Sequence, residues 1–309
     1  MFHKSRMGLA CLVVLGLICG SLRSDSLFAE EPATYRLRFK FAPQQTLYYV
    51  SQNDADYFIE HSNAQETVLH TSMSLRKITV LGVDADGTAD VQLMIDRAYM
   101  TANNAGVDSV YDSTQVNHVP TEFSGVHQSI GKSQKARLTQ LGQVLPSADK
   151  SASVEQVDLL FRLPEQPVAI GGKWKDQYDA SILAEEDAKL FRQIKMQRRF
   201  ELLSVDQGIA TIAVSTVCLS PISDSYQESQ LVQRKPSGIL KFDIEQGCLV
   251  DRQLKIDDKT IGHQGPGSAL TVKIVKVDRL VNFDQLKLVD LTKPLVPVRV
   301  AAAAEPATK

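Results

Sequence analysis

Apolar and polar residues alternate along much of this chain. From Tyr35 to Phe41, apolar side chains at every second position are separated by basic ones. Period-two segments also occur at 69–75 and 89–95, with turn residues between them. An alternation of this kind is typical of strands that have one face on a core and one in water. The pattern therefore predicts an all-β, mainly antiparallel protein.

Two hairpin sequences repeat within the chain. Leu81–Val91 resembles Leu203–Ile212, and each reads as a strand, a tight turn and a returning strand. A weaker similarity follows each copy, between Ala136–Val144 and Phe242–Leu249. Because the order is the same in both halves, we predict two related β modules, each a curved or half-barrel-like sheet. The sequence leaves open whether the two modules share one continuous sheet.

Small polar residues at 147–153 mark the boundary between the modules, so we place the first at 30–150 and the second at 151–290. Ser153 and Gln156 form a capping box that predicts a short helix at this boundary, and 184–188 predict a helical turn.

Two further segments show no strand pattern. Residues 101–133 are polar and weakly patterned, which predicts a long connection. Residues 291–309 contain prolines and a run of four alanines, cannot build a core, and are predicted to form a disordered tail.

The first 29 residues have the features of a secretory signal. A basic start is followed by the apolar run 9–18, and Ala29 is a plausible cleavage point. The alternative is an uncleaved membrane anchor. No later segment approaches the ~18 consecutive apolar residues of a spanning helix. We therefore expect an exported protein of the periplasm or extracellular space, with a mature body that does not span the membrane.

Two cysteines, Cys218 and Cys248, lie beyond the signal. Both fall on the apolar side of their strands by period-two counting. Export permits a disulfide between them if their strands are neighbours. The alternatives left open are a Cys218–Cys248 disulfide and two buried thiols.

Motifs that mark catalysis or metal binding are missing. The chain carries 34 Lys and Arg against 36 Asp and Glu, which gives no electrostatic reason to expect nucleic acid as a partner. The histidines beyond the signal lack metal-ligand spacing, and Asp84–Asp90 does not fit a calcium loop. Ser74 and Ser129 begin S-x-x-K matches without the partner motifs of that chemistry. We expect no enzyme activity, no metal site and no cofactor.

The turn and core motifs resemble those of uncharacterised bacterial exported β-rich proteins. The resemblance rests on Tyr35-x-Leu37-x-Phe39, the paired Asp-Gly hairpins, the segment Leu163–Trp174 and Gly238–Asp243 before Gly247. It covers most of the chain after the signal and implies no assigned activity. The expected architecture is also similar, at fold level, to half-open β-sheet lipoprotein carriers.

Two functions fit these observations, and a third is weaker. The first is a non-enzymatic exported protein that binds an apolar ligand or lipid in its curved sheet. The second is a structural or scaffold protein of the cell envelope that mediates protein contacts. The third is a hydrolase assembled from dispersed Asp, Glu and His. Candidate ligand-lining residues, which also suit a plain core, are Leu37, Phe39, Val91, Leu93, Phe200, Ile212 and Phe242.

Overall fold

The computed structural model describes residues 33–62, 64–115, 118–145, 159–184, 190–222 and 224–296. The predicted signal at 1–29, the capping-box residues Ser153 and Gln156, and residues 297–309 of the predicted tail lie outside these ranges. Four of the five residues of the helical turn predicted at 184–188 lie outside them as well. These predictions therefore stay predictions.

The described chain is built almost entirely of strands. The strands are β1 (Thr34–Tyr35), β2 (Thr46–His61), β3 (Ala64–Val83), β4 (Ala89–Asn104), β5 (Val107–Asp112), β6 (Ser133–Leu138), β7 (Val144–Leu145), β8 (Val168–Ala169), β9 (Lys173–Leu183), β10 (Phe191–Asp206), β11 (Ile209–Cys218), β12 (Ser237–Asp243), β13 (Cys248–Ile261) and β14 (Ser268–Val281). The helices are α1 (Ser124–Ser129), α2 (Ser225–Ser229) and the 3₁₀ turns Thr121–Phe123, Val232–Arg234 and Phe283–Leu288. The predicted fold class, an antiparallel all-β protein with few short helices, is confirmed.

Strands from both predicted modules lie in one sheet. Its order is β7-β6-β4-β3-β2-β14-β13-β12-β11-β10-β9, with β5 paired to β4, and every pairing between neighbouring strands in it is antiparallel. Read from the β9 edge, β9 to β13 form one meander and β2 to β7 form a second, with β14 between them. The similar hairpins β3–β4 and β10–β11 therefore occupy corresponding places. The internal repeat itself stays a prediction.

A bridging segment, residues 36–41, shows that this sheet curls. Phe39 N donates to the carbonyl of Gln140 in the β6–β7 turn at 2.8 Å, and Lys40 N donates to that of Gly247 in the β12–β13 turn at 3.0 Å. On a flat sheet, six strand spacings of about 4.8 Å would hold β6 and β12 about 29 Å apart. Because two consecutive residues reach both turns, the sheet wraps around them. We call the enclosed side the inner face.

The prediction of a full strand from Tyr35 to Phe41 is wrong. Only Thr34 and Tyr35 pair, with Ala169 and Val168 of β8. The following residues keep the alternation, since Leu37 and Phe39 are buried, but their backbone groups bond to turns rather than to a neighbouring strand. Burial alone therefore explains the period of two here.

The main core fills the inner face at the end of the sheet that bears these turns. Phe39 packs against Phe242 and Phe161, with ring centroids 5.3 and 5.6 Å apart. Val80 and Val91 from one meander, and Phe200 and Ile212 from the other, belong to the same cluster. At the other end, smaller clusters form where α2 and the turn at Val232 cover β9, β10, β13 and β14.

The described residues between 101 and 133 form regular secondary structure. β4 continues to Asn104, β5 pairs with it, and the turn at Phe123 leads into α1. Phe123 packs with Ala98, Ala102 and Tyr111 in a separate cluster. The prediction of a long connection was wrong because this stretch buries a few apolar residues on the sheet instead of repeating a pattern.

The outer face is covered by the end of the described chain. Leu291 packs with Val50, Met73 and Leu75, and Leu295 joins the same cluster. The Gln52 Oε1 atom accepts hydrogen bonds from Leu295 N at 2.6 Å and from Val296 N at 3.0 Å. We call residues 282–296 the strap. The strap thus covers the outer face of β2 and β3 around Val50, Met73 and Leu75.

Candidate binding cavity on the inner face

Small polar side chains occupy the centre of the inner face, between the apolar clusters. The register pairs Ser51 with Ser74 and Asn53 with Ser72 across β2 and β3. These four short side chains line a cavity of about 240 Å³. The cavity exists because the long strands continue past the main core with residues too small to fill the space.

Three cationic side chains line the same cavity. Arg76 lies on β3 two residues beyond Ser74, Arg252 lies on β13, and Lys276 lies on β14 opposite Asn53. The lining contains one carboxylate, that of Asp278. The cavity therefore carries an excess of positive charge.

The Asp278 carboxylate is held firmly in place. Arg252 Nε donates to its Oδ2 atom at 2.6 Å, and Ser51 Oγ donates to its Oδ1 atom at 2.5 Å. The Arg252 and Asp278 residues are 7% and 3% exposed. A buried charge is tolerated when it is paired and hydrogen-bonded in this way. The pair therefore forms a fixed wall of the cavity and neutralises one of its three cations.

Other polar groups of the cavity lack partners. Within the described ranges, Lys276 Nζ and the hydroxyls of Ser72 and Ser74 make no hydrogen bond or ion pair, and Asn53 Oδ1 is buried without a donor. Of these atoms, Asn53 Oδ1 is fully buried, and buried polar atoms are usually satisfied, so this exception calls for an explanation. Together these groups offer donors and an acceptor to a molecule in the cavity.

An apolar cavity adjoins the polar one. It measures about 210 Å³ and is lined by the apolar side chains of Ile78, Leu93, Ile95 and Leu159. The rest of the lining is Arg76, Lys77, Met94, Ser129, Lys132 and Gln134. Arg76 lines both cavities. The inner face thus places a cationic pocket next to an apolar one.

A β-bulge lies where the two cavities meet. The register of β3 and β4 shifts between Leu75 and Arg76, so that Arg76 pairs with Ile95 while Leu75 pairs with Arg97. Bulges bend a strand and redirect its side chains, and they are common beside functional sites. The bulge positions Arg76 at the junction of the polar and apolar linings.

Tyr49 and Cys248 lie between the polar cavity and the main core. The Tyr49 hydroxyl donates to the carbonyl of Leu249 at 2.9 Å. Burial, with smaller effects from Cys248 and Asp278, holds the pKa of Tyr49 well above its usual value. Burial, together with the charge of Asp243, raises the pKa of Cys248 to about 11. Both groups are therefore neutral at ordinary pH and complete the apolar boundary.

Cys218 and Cys248 are free in the structure. The registers place Cys248 level with Asp243 and Ile209, while Cys218 is at the opposite end of β11. Nine residues of extended strand separate those levels by about 30 Å, far beyond the Cα spacing that a disulfide needs. The structure therefore has two thiols here and no disulfide between them.

The candidate ligand-lining residues divide between core and cavity. Leu93 lines the apolar cavity. The others belong to the main core: Leu37, Phe39, Val91, Phe200, Ile212 and Phe242. Of these, Phe200 also lines a cavity of about 630 Å³, together with Trp174 and Val214.

The polar lining was missed by sequence reasoning. Ser72, Ser74 and Arg76 alternate with Met73 and Leu75, and period-two counting assigns the apolar pair to the core. Met73 and Leu75 in fact lie under the strap on the outer face. The available signal was the run of polar residues Ser72, Ser74 and Arg76 on one face in the middle of β3.

The described parts of the chain hold no group of three or more His, Cys, Asp or Glu side chains that could bind a metal ion. In the same residues, no helix has both the length and the apolar character needed to cross a membrane.

No family model matches this chain, and no curated protein matches it. Among solved structures, it is similar to a chain from "Lipid-protein interactions in lipovitellin", with 9% identity and a TM-score of 0.41, over 79% of this chain and 26% of that one. The chain thus spans about a quarter of the lipovitellin chain.

Two further solved structures are similar to the chain. DynF from the dynemicin biosynthesis pathway of Micromonospora chersina has 10% identity and a TM-score of 0.19, over 84% of this chain and 96% of that one. The Salmonella secretin InvG has 9% identity and a TM-score of 0.16, over 82% and 61%. All three TM-scores are too low to support an argument about ligand or function.

Proposed function

We propose that this protein binds a small amphiphile, a lipid-like molecule with a polar head and an apolar chain, on the inner face of its sheet. The proposal rests on the two adjoining cavities, one polar and one mainly apolar, which share Arg76 in their linings. A polar head fits the side with serines and cations. An apolar chain fits the side with Ile78, Leu93 and Ile95.

The size of the cavities favours a slender ligand. Each measures little more than 200 Å³, below the ~300–1,000 Å³ of pockets for drug-sized ligands. A molecule with one apolar chain that spans both cavities fits better than one with two chains. Binding follows the general pattern of a mostly apolar pocket with a few placed polar groups.

Native mass spectrometry tests the proposal. The protein is purified without detergent from a host that exports it, and the bound fraction is extracted and identified. We expect an added mass that disappears on denaturation and is recovered as an amphiphile. Leu93→Arg, which puts a charge into the apolar cavity, should abolish the added mass. Leu203→Arg, at an exposed apolar position of β10, is the matched control.

A clean ligand-free mass in the wild-type protein, combined with no uptake of added single-chain amphiphiles, contradicts the proposal. Retention of the ligand by Leu93→Arg contradicts the location. Either result leaves the fold as described.

We also propose that the protein acts without catalysis, outside the cytoplasm. The basic start and apolar run before residue 30 support export. The serines of the cavity support a binding role, because Ser51 Oγ donates to Asp278 and so serves that carboxylate. A signal-cleavage assay on the full chain tests the location, with a retained first segment as the contrary result.

The second candidate function is a scaffold that pairs through a sheet edge. β9 bonds to β10 along eleven residue pairs and leaves its other side open in the described chain. Lys173 and Lys175 stand on this strand, and charged edge strands resist the addition of another strand. Capture of a stable partner that is lost on Gln177→Pro in β9 would favour the scaffold.

A further inference from the structure

The polar cavity has the composition of an anion site. Its lining holds three cationic side chains against one carboxylate, and Arg252 pairs with that carboxylate. Counted over its lining, the cavity therefore has two more cationic side chains than carboxylates. A positive charge in a partly enclosed space is costly unless an opposite charge or hydrogen-bond acceptors accompany it.

The register places hydrogen-bond donors between these two cations. Lys276 lies opposite Asn53, which lies opposite Ser72, and Ser74 precedes Arg76 by two residues on the same strand. Ser72 thus lies level with Lys276 two strands away, and Ser74 lies between Ser72 and Arg76 along β3. An anionic oxygen above these serines would accept from hydroxyls at its base and lie between cations on either side.

The two cations contribute differently. A guanidinium presents a planar fork that suits the oxygens of a carboxylate or phosphate, whereas an ammonium acts as a point charge with rotatable donors. Arg76, at the junction with the apolar cavity, is placed to hold the head where the chain begins. Lys276, which has no partner among the described residues, is placed to neutralise its far side.

We infer that the head group bound here is an anion, a carboxylate or a phosphate, held by Arg76 and Lys276 over Ser72 and Ser74. This inference rests on the proposed binding of an amphiphile and names its chemical class. Charge-assisted hydrogen bonds in a partly buried site are among the stronger non-covalent contacts. The anionic head should therefore dominate selectivity between ligands of equal chain length.

Calorimetric titration of the full chain with four single-chain probes tests this inference. The probes are dodecanoate, dodecyl phosphate, dodecyl maltoside and dodecyltrimethylammonium, each below its micelle concentration. We expect the two anionic probes to bind at least tenfold more tightly than the neutral one, and the cationic one to bind most weakly. The ranking of carboxylate against phosphate identifies the source of the anion.

Lys276→Met keeps the length of the side chain and removes its charge. We expect it to weaken both anionic probes about tenfold and to leave dodecyl maltoside unchanged. Lys273→Met, on the same strand but on the outer face, is the matched control and should change neither. If Lys276→Met does not fold by thermal melting, Lys276→Gln replaces it.

The outcomes separate the two levels of the proposal. Equal binding of anionic and neutral probes overturns the anion inference and leaves amphiphile binding in place. Unchanged anion binding in a folded Lys276 variant overturns the inference as well. Failure of all four probes overturns amphiphile binding itself.

Discussion

Arg252 and Asp278 face each other across β13 and β14, with Arg252 Nε 2.6 Å from Asp278 Oδ2, at the boundary between a filled core and an open cavity. On one side, Leu240 and Phe242 pack tightly. On the other, serines and long cations leave space. The apolar core ends at this ion pair. The buried charges are tolerated here because the Asp278 carboxylate accepts from both Arg252 and Ser51.

Breaking this pair should be more damaging than removing it. Asp278→Ala removes the buried carboxylate to which Arg252 Nε and Ser51 Oγ donate, and we expect a loss of about 3–5 kcal/mol in the free energy of unfolding. The double variant Arg252→Met with Asp278→Leu should recover most of that loss. Urea unfolding of the single and double variants measures both. A double variant as unstable as Asp278→Ala would contradict the burial of the pair.

The raised pKa of Cys248 predicts slow labelling. At pH 8, a thiol with a pKa of about 11 is about one part in a thousand thiolate, the reactive form. Iodoacetamide should therefore react with Cys248 at least a hundredfold more slowly in the folded protein than in urea. Cys218→Ser isolates the site. Equal rates in the folded and unfolded states would contradict the assignment.

The same group should make stability depend on alkaline pH. Its folded pKa lies above the unfolded value of about 8.5, so the folded state keeps the proton longer. The stabilisation is complete below the unfolded pKa and is lost as the pH rises towards about 11. Cys248→Ala should flatten the fall in unfolding free energy between those values. The comparison is made on a Cys218→Ser background, and identical slopes would exclude Cys248 as the cause.

Gly247 should tolerate a side chain less well than Gly106, a turn glycine with open space around it. The φ of Gly247 is +66°, and an added Cβ would come within 2.5 Å of Lys40 N. This Lys40 N donates to the Gly247 carbonyl. Gly247→Ala therefore adds a clash to backbone strain, and we expect about 3 kcal/mol or more of destabilisation. Gly106→Ala, with φ +90° and open space, is the control at about 1 kcal/mol. Similar losses in thermal melts would refute a close contact with the bridging segment.

Gln52 should hold the strap to the outer face. Its amide oxygen accepts from the backbone of Leu295 and Val296, and its amide nitrogen donates to Asp54 Oδ2 at 2.5 Å. Gln52→Met leaves these buried groups unpaired, and we expect a loss of about 1–3 kcal/mol. Hydrogen exchange of the Leu295 and Val296 amides should accelerate in Gln52→Met. The control variant Gln253→Met, at an exposed position of β13, should leave that exchange unchanged. Unaltered exchange in Gln52→Met would contradict this anchoring.

Asp54 should make the protein more stable at mildly acidic pH. Burial raises the pKa of Asp54, and hydrogen bonds from Gln52 and Thr71 oppose the shift. The folded state therefore binds the proton more tightly, so this contribution is present below the unfolded pKa of about 3.9 and is lost as the pH rises through the folded pKa. Asp54→Asn should remove that dependence. An NMR titration and unfolding from pH 3 to 7 check it, and a lowered Asp54 pKa would reverse the sign.

Local pattern was enough to predict several of the strands and the turns of the two repeated hairpins. The Asp84–Gly87 and Asp206–Gly208 turns take the positive φ that their glycines permit, at +80° for Gly87 and +81° for Gly208. The β4 strand includes the predicted 89–95 segment. These features depend on neighbours in sequence, which is why the period of two and turn chemistry find them.

Contacts between distant residues were beyond the reach of the pattern. Met73 and Leu75 are covered by a strap more than 200 residues later, so their apolar character said nothing about which face is inner. Arg76, Arg252 and Lys276 share one cavity because the strand order places β3, β14 and β13 within four consecutive strands of the sheet. No local signal distinguishes such cations from those on a solvated face.

The pairing of β2 with β14 joins positions 48–61 to positions 268–281 along fourteen residue pairs. During synthesis, β2 therefore emerges more than 200 residues ahead of the strand that completes its hydrogen bonds. Until then, β2 has an edge of unpaired backbone N–H and C=O groups, to which a strand from another chain can add. A chain interrupted before residue 268 lacks the link between its two meanders, so acquisition of the cavity is a late event that waits for nearly the whole polypeptide.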